Sequence, residues 1–161
     1  LISTLFTSIS ILILGLLIEE WISGVAYLTV YFFLKSYTGG YHAKHYYECY
    51  IYSIFVFIVL IIAKNIIVPI YKPIIGLFSL IFSIIVVFKF APVTNKNNPK
   101  TEEEILKNKK IARRRTLILS IIVTLGYIVK PKLIDLWLML ALTVLTIAYS
   151  ILKAKFLDKS T

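Results

Sequence analysis

Cysteine and histidine are almost missing from this chain of 161 residues: there is one thiol, Cys49, and two imidazoles, His42 and His45. A single cysteine excludes an internal disulfide. Acidic residues are also few, 8 against 18 Lys and Arg, and the formal net charge is +10. The one acidic cluster is Glu102-Glu103-Glu104, so an enzyme that gathers carboxylates around a metal to work on phosphates finds little support. Glu48 is the only acid near the histidines and there is no serine elbow, which removes a Ser-His-Asp site. The apolar runs do not alternate apolar with polar and are too long for barrel strands. No internal repeat stands out. No basic segment or small-residue cleavage site marks a cleaved signal peptide.

Apolar sequence is abundant: 59% of the residues are hydrophobic, against about 45–50% in a typical soluble domain. The charges cluster between long uncharged runs, the pattern of a polytopic membrane protein. We therefore expect an all-α integral membrane protein with about six transmembrane or re-entrant helices, forming one membrane domain over 1–161. The expected spans are about 1–18, 22–37, 49–63, 74–88, 117–129 and 133–152, with loops at 38–48 and 89–116. The second, fourth and fifth are short. Position 1 is Leu inside an apolar run, so the natural N-terminus is expected to lie upstream.

Lys and Arg orient such proteins by staying on the cytoplasmic side. With six spans and both termini inside, only Lys64, Lys72, Lys130 and Lys132 of the 18 basic residues fall outside. This orientation puts 38–48 in the cytoplasm, where thiols stay reduced.

The densest basic run is Lys107, Lys109, Lys110, Arg113, Arg114 and Arg115. It has no interleaved aromatics to stack on bases, which argues against a nucleic-acid partner. Beside a span it suits anionic lipid head groups, or an acidic peptide. Thr101 followed by three glutamates reads as a capped helix start, with acids at the positive end of the helix dipole. A short cytoplasmic helix over 102–115 is expected to lead into the fifth span.

The chemistry concentrates at Gly39-Gly40-Tyr41-His42-Ala43 and Cys49. A thiol beside the only imidazoles is the minimum for cysteine nucleophilic catalysis, since the base can take the thiol proton or stabilise the thiolate. His45, four residues before Cys49, would share its helix face, with Cβ atoms about 6 Å apart. His42, seven before, would lie about 10 Å away along a straight helix, too far for direct proton transfer. Continuous-helix geometry thus favours His45, and a role for His42 requires a bend between 43 and 48. Taken singly, a cysteine at a span end packs, an interfacial histidine is amphipathic and Gly-Gly makes a turn; their conjunction makes a catalytic reading worth testing. His42, His45, Glu48 and Cys49 match no common zinc spacing, and no metal or cofactor is expected.

These residues resemble the accessory gene regulator protein B family (AgrB-like), membrane cysteine endopeptidases of Gram-positive quorum sensing. The resemblance rests on Gly39-Gly40-Tyr41-His42-Ala43 with Cys49 seven positions after His42, and on Ala91-Pro92-Val93 followed by an Asn/Lys/Pro-rich loop over 95–100. It implies that Cys49 is the nucleophile and His42, rather than His45, its partner. It places Lys35 where many members carry arginine, which keeps the charge but not the bidentate fork. Gly39, Gly40, Lys35 and His45 are then supporting residues. Lys109, Lys110, Arg113, Arg114 and Arg115 are candidate contacts for peptide or lipid. Members usually have an amphipathic stretch before the first span, which this sequence does not show.

The implied partner is an AgrD-like precursor peptide, cut toward its C-terminus and cyclised to a lactone or thiolactone at the cell membrane. The short spans make a homodimer plausible. Two other classes compete. One is a small transporter or binding scaffold, against which we note no intramembrane charge pair. The other is a Mg-dependent enzyme acting on lipid or isoprenoid.

Overall fold

The computed structural model describes residues 2–39, 46–93 and 101–157. Helix α1 spans Ile2–Leu17, α2 Trp21–Thr38, α3 Tyr46–Ile66, α4 Lys72–Phe90, α5 Glu102–Val129 and α6 Ile134–Leu157. Prolines punctuate the chain where their fixed φ suits a first helical position: Pro69 and Pro131 each open a short 3₁₀ turn leading into α4 and α6.

Helices α2 and α6 run through the middle. Helices α1 and α3 pack on one side of this pair, and α4 and α5 on the other. Two apolar clusters result. One gathers Val30 and Leu34 of α2 with Val87, Ala112, Val123, Ala148 and Ile151. The other gathers Tyr27, Ile11, Phe57, Leu60, Leu138 and Met139.

The distribution of side-chain size is that of a protein in lipid. Large apolar residues such as Phe6, Leu16, Phe55, Phe78, Ile81, Ile121 and Ile128 face outward, while Ala112, Ala141, Ala148, Ser83, Thr116 and Thr143 are buried between helices. Lipid tails are as apolar as leucine, so association in a membrane depends on close packing of small residues rather than on hiding apolar surface. Four of the buried hydroxyls are satisfied by their own helices: Ser79 donates to the Ile75 carbonyl at 2.8 Å, Ser83 to Ser79 at 2.6 Å, Thr116 to Ala112 at 2.9 Å and Thr143 to Met139 at 2.7 Å. Such back-bonding brings a polar side chain into a dry interior without an orphaned group.

The all-α architecture agrees with the sequence, but the number of full spans does not. Among the described residues, three helical stretches are long and apolar enough to cross a membrane: Tyr47–Ile66, Pro69–Phe90 and Pro131–Phe156. Helix α1 is shorter, with an apolar stretch of Thr4–Leu17. Helix α2 falls below because Ser23, Gly24, three tyrosines and Lys35 dilute its apolar run. Helix α5 falls below because its first half is charged.

A second difference concerns α5. The expected separate helix over 102–115 and span over 117–129 are one helix of 28 residues. No glycine or proline interrupts the chain before Gly126, so propagation costs nothing extra once the first turn exists. That first turn is as expected: Glu104 N–H donates to Thr101 Oγ1 at 3.3 Å and the Thr101 N–H to Glu104 Oε2 at 3.0 Å, a reciprocal capping box.

Candidate functional site

Cys49 lies in the first turn of α3 and is half-buried. Its carbonyl accepts a hydrogen bond from Ser53 Oγ at 2.9 Å. Tyr31 and Lys35 of α2, Cys49, Tyr52 and Ser53 of α3, and Thr146 and Ser150 of α6 line one cavity, with Tyr27, Val56 and Ile147 completing its apolar wall. Its volume is about 30 Å³, and a site needs at least about 10–15 Å³ to hold one water. Lys35 Nζ donates to Ser150 Oγ at 2.7 Å. The tyrosine rings are ordered by stacking, Tyr27 on Tyr31 with centroids 5.9 Å apart. Lys153 Nζ sits 5.0 Å from the Tyr52 ring centroid.

The end of α2 is tied to the end of α4. The Val93 N–H donates to the Thr38 carbonyl at 3.0 Å, and Gly39 forms a parallel bridge with Val93. Gly39 adopts φ 67° and ψ −141°, and a Cβ there would collide with the Val93 carbonyl oxygen. Only glycine fits both the backbone angle and the close approach. The two short motifs of the sequence, one at 39–43 and the other at 91–93, therefore meet at Gly39.

Of the residues singled out from the sequence, Cys49 and Lys35 share the cavity, and Gly39 lies one turn beyond Lys35. Gly40, His42 and His45 lie outside the described residues, and with them the required bend. Among the described residues no three His, Cys, Asp or Glu side chains gather as metal ligands.

The basic run divides. Lys110 and Arg114 are exposed and Lys109 half-buried. Arg113 and Arg115 turn inward: Arg113 Nη2 donates to the Phe88 carbonyl at 2.6 Å, and Arg115 Nη1 to the Phe33 carbonyl at 2.8 Å. The Arg115 guanidinium stacks 4.1 Å from the Tyr37 ring centroid and 4.5 Å from that of Phe33. Both cations approach the last turn or two of a helix, where the dipole is negative. These two arginines hold α5 against α2 and α4, which is a packing role that a list of basic residues does not reveal.

Two ion pairs were not expected. Lys64 Nζ lies 2.6 Å from Glu20 Oε2 and also donates to Ser23 Oγ at 3.1 Å. Lys72 pairs with Asp135. Lys64 is only 4% exposed and Lys72 only 6%. Both pairs lie at the helix ends remote from Cys49. At Glu20, burial pushes the carboxyl up, but the hydrogen bonds from Lys64 and Ser23 outweigh it and leave the group below its ordinary value.

Sequence reasoning also missed the tyrosines, Thr146 and Ser150. A signal existed for some of them. Tyr27, Tyr31 and Lys35 recur every four residues, as do Thr146 and Ser150, and such spacing puts polar groups on one face of an otherwise apolar helix.

Residues 1–153 match the family described as Accessory gene regulator B. AgrB-like protein 2 of Clostridium perfringens (strain 13 / Type A) is 34% identical over 116 residues, covering 68% of this chain and 54% of that protein. An AgrB-like protein of Clostridium perfringens (strain SM101 / Type A) is 30% identical over 164 residues, covering 92% of this chain and 77% of that protein. The first alignment thus spans about half the length of that relative. No solved structure matches the chain. With its outward apolar surface and its match over nearly the whole length, the chain is a membrane protein of the accessory gene regulator B family.

Proposed function

We propose that the chain is a membrane cysteine endopeptidase of peptide quorum sensing, which cuts an AgrD-like precursor toward its C-terminus and lets the product cyclise. The observation that carries this reading is the position of the only thiol. Cys49 opens α3 at the rim of a cavity that also holds a lysine ammonium.

In this reaction the Cys49 thiol loses its proton to His42 and the thiolate attacks the carbonyl carbon of the scissile peptide bond. The C–N bond breaks as His42 returns the proton to the leaving amine. The C-terminal fragment departs, and the rest of the peptide remains as a thioester on Cys49. A Cys or Ser side chain within the peptide then attacks that thioester, forming a thiolactone or lactone and regenerating the thiol. Exchange of thioester for thiolactone is close to isoenergetic, so removal of the cleaved fragment has to offset the ring strain. Lys35 supplies positive charge on the nucleophile's side of the cavity.

The charge bias places 38–48 and the first half of α5 on the cytoplasmic side. There the exposed Lys110 and Arg114 continue the outward face of Leu117, Ile118 and Ile121 on the same helix. A stripe that is apolar and then basic suits the inner leaflet with its anionic head groups, on which an amphipathic precursor would lie.

The test is co-expression with a precursor peptide, read by mass spectrometry. Cys49→Ala and His42→Ala should abolish cleavage and His45→Ala should retain it. Loss with His45→Ala but not His42→Ala would reassign the base. Cleavage that survives Cys49→Ala would sink the enzymatic reading and favour a scaffold or transport role.

A further inference from the structure

The Cys49 cavity contains a cation without a carboxylate. Among the described residues its lining offers Lys35 but no Asp or Glu. The polar contact held by Lys35 Nζ is the neutral hydroxyl of Ser150, itself only 6% exposed. An ammonium in so apolar a setting is costly unless an anion or hydrogen bonds accompany it. Among the described lining groups, Cys49 carries a side chain that readily becomes an anion, and it shares the cavity with Lys35.

We propose that Ser150 is a positioning residue: it holds the Lys35 ammonium in the cavity so that the charge favours the Cys49 thiolate. This rests on the reading of Cys49 as the nucleophile. A lysine side chain left free samples many rotamers, and holding one of them costs conformational entropy. A buried hydroxyl on α6, one turn from Thr146, selects the rotamer that stays beside α3. Facing this group are Tyr27 and Tyr31 on α2 and Tyr52 on α3, and a second cation, Lys153 of α6, lies over the Tyr52 ring.

Cys49 is the only thiol, so alkylation of the full chain in lipid nanodiscs reports on it alone. The initial rate with iodoacetamide at neutral pH is the readout, and it needs no precursor peptide. Lys35→Met should slow alkylation about tenfold, because it removes the charge that favours the thiolate. Ser150→Ala should slow it several-fold. Ser150→Thr should restore the wild-type rate, whereas Ser150→Val, with the same shape and no hydroxyl, should not. Ser150→Ala added to Lys35→Met should have no further effect, because the serine acts through the lysine. The proposal fails if Ser150→Ala and Ser150→Val alkylate as fast as wild type, or if the serine change slows the Lys35→Met protein further. The Thr and Val pair decides the matter should Ser150→Ala not fold. Loss of precursor cleavage in Cys49→Ala is a separate measurement: its failure would remove the catalytic meaning of the thiolate and leave the alkylation result standing.

Discussion

Val93 and Gly39 meet backbone to backbone, with the Val93 carbonyl occupying the place a Cβ of residue 39 would need. This contact fixes where α2 ends and where the segment with both histidines departs. Gly39→Ala should therefore cost of order 1–3 kcal/mol in backbone strain and repulsion and reduce precursor processing at least tenfold. Gly24→Ala, where a Cβ would meet neighbours at 3.6 Å or more, serves as the comparison. Mass spectrometry of the processed peptide, normalised to protein in the membrane, is the check, and unaltered processing in Gly39→Ala would refute the anchoring role.

Arg115 and Arg114 are neighbours with opposite fates. Arg115→Gln gives up a bond to the Phe33 carbonyl and the stack on Tyr37, and should destabilise the protein by about 1–3 kcal/mol. Arg114→Gln, on the exposed face, should leave the melting temperature within error and weaken binding to vesicles rich in anionic lipid. Equal melting temperatures for the two variants would show that Arg115 is as free as its neighbour.

The Glu20 carboxyl is held below its ordinary value of 4.5. A depressed acid contributes stability that is complete above its unfolded value and lost as pH falls through the folded one. Thermal stability in detergent should thus decline below about pH 4.5, and Glu20→Gln should flatten that part of the profile. The same change leaves the buried Lys64 without its anion and should cost about 1–3 kcal/mol near neutral pH. An unchanged acid limb in Glu20→Gln would assign that limb to other carboxylates.

The capping box predicts a local effect. Thr101→Ala removes the acceptor for the Glu104 N–H and should cost about 1 kcal/mol. Because the start of α5 stands clear of the packed core, the loss should appear as faster amide exchange over 102–105 and barely move the global melting temperature. A large global shift would mean that this turn supports the core.

What could be read from the sequence was whatever depends on neighbours in the chain. Thr101 and Glu104 lie three residues apart, and their box was visible at once. The helical character of each run followed from its composition, and Cys49 stood out because it is the only thiol. What depends on remote contacts was hidden. Lys64 and Glu20 are 44 positions apart and Lys72 and Asp135 are 63, so neither pair could be matched without knowing which helix ends converge. Arg113 and Arg115 looked like Arg114, because a run of charges does not say which members turn inward. Ser150 was one hydroxyl in an apolar stretch, and its bond to Lys35 shows only once α2 is placed beside α6.

The hydroxyls of Ser79, Ser83, Thr116 and Thr143 bond to their own helices. Each of these four side chains can therefore leave the insertion machinery already satisfied by its own helix. Among the described residues, polar links between helices include Glu20 to Lys64, Lys72 to Asp135, Tyr50 to Ser10, Arg113 to Phe88, Arg115 to Phe33 and Lys35 to Ser150. Biogenesis then has a natural order, with hairpins first and these fastenings last. The Lys35–Ser150 link needs α6, which is synthesised after the helix that carries Cys49, so a nascent chain carries its thiol for a time without the charge arrangement proposed to favour its thiolate.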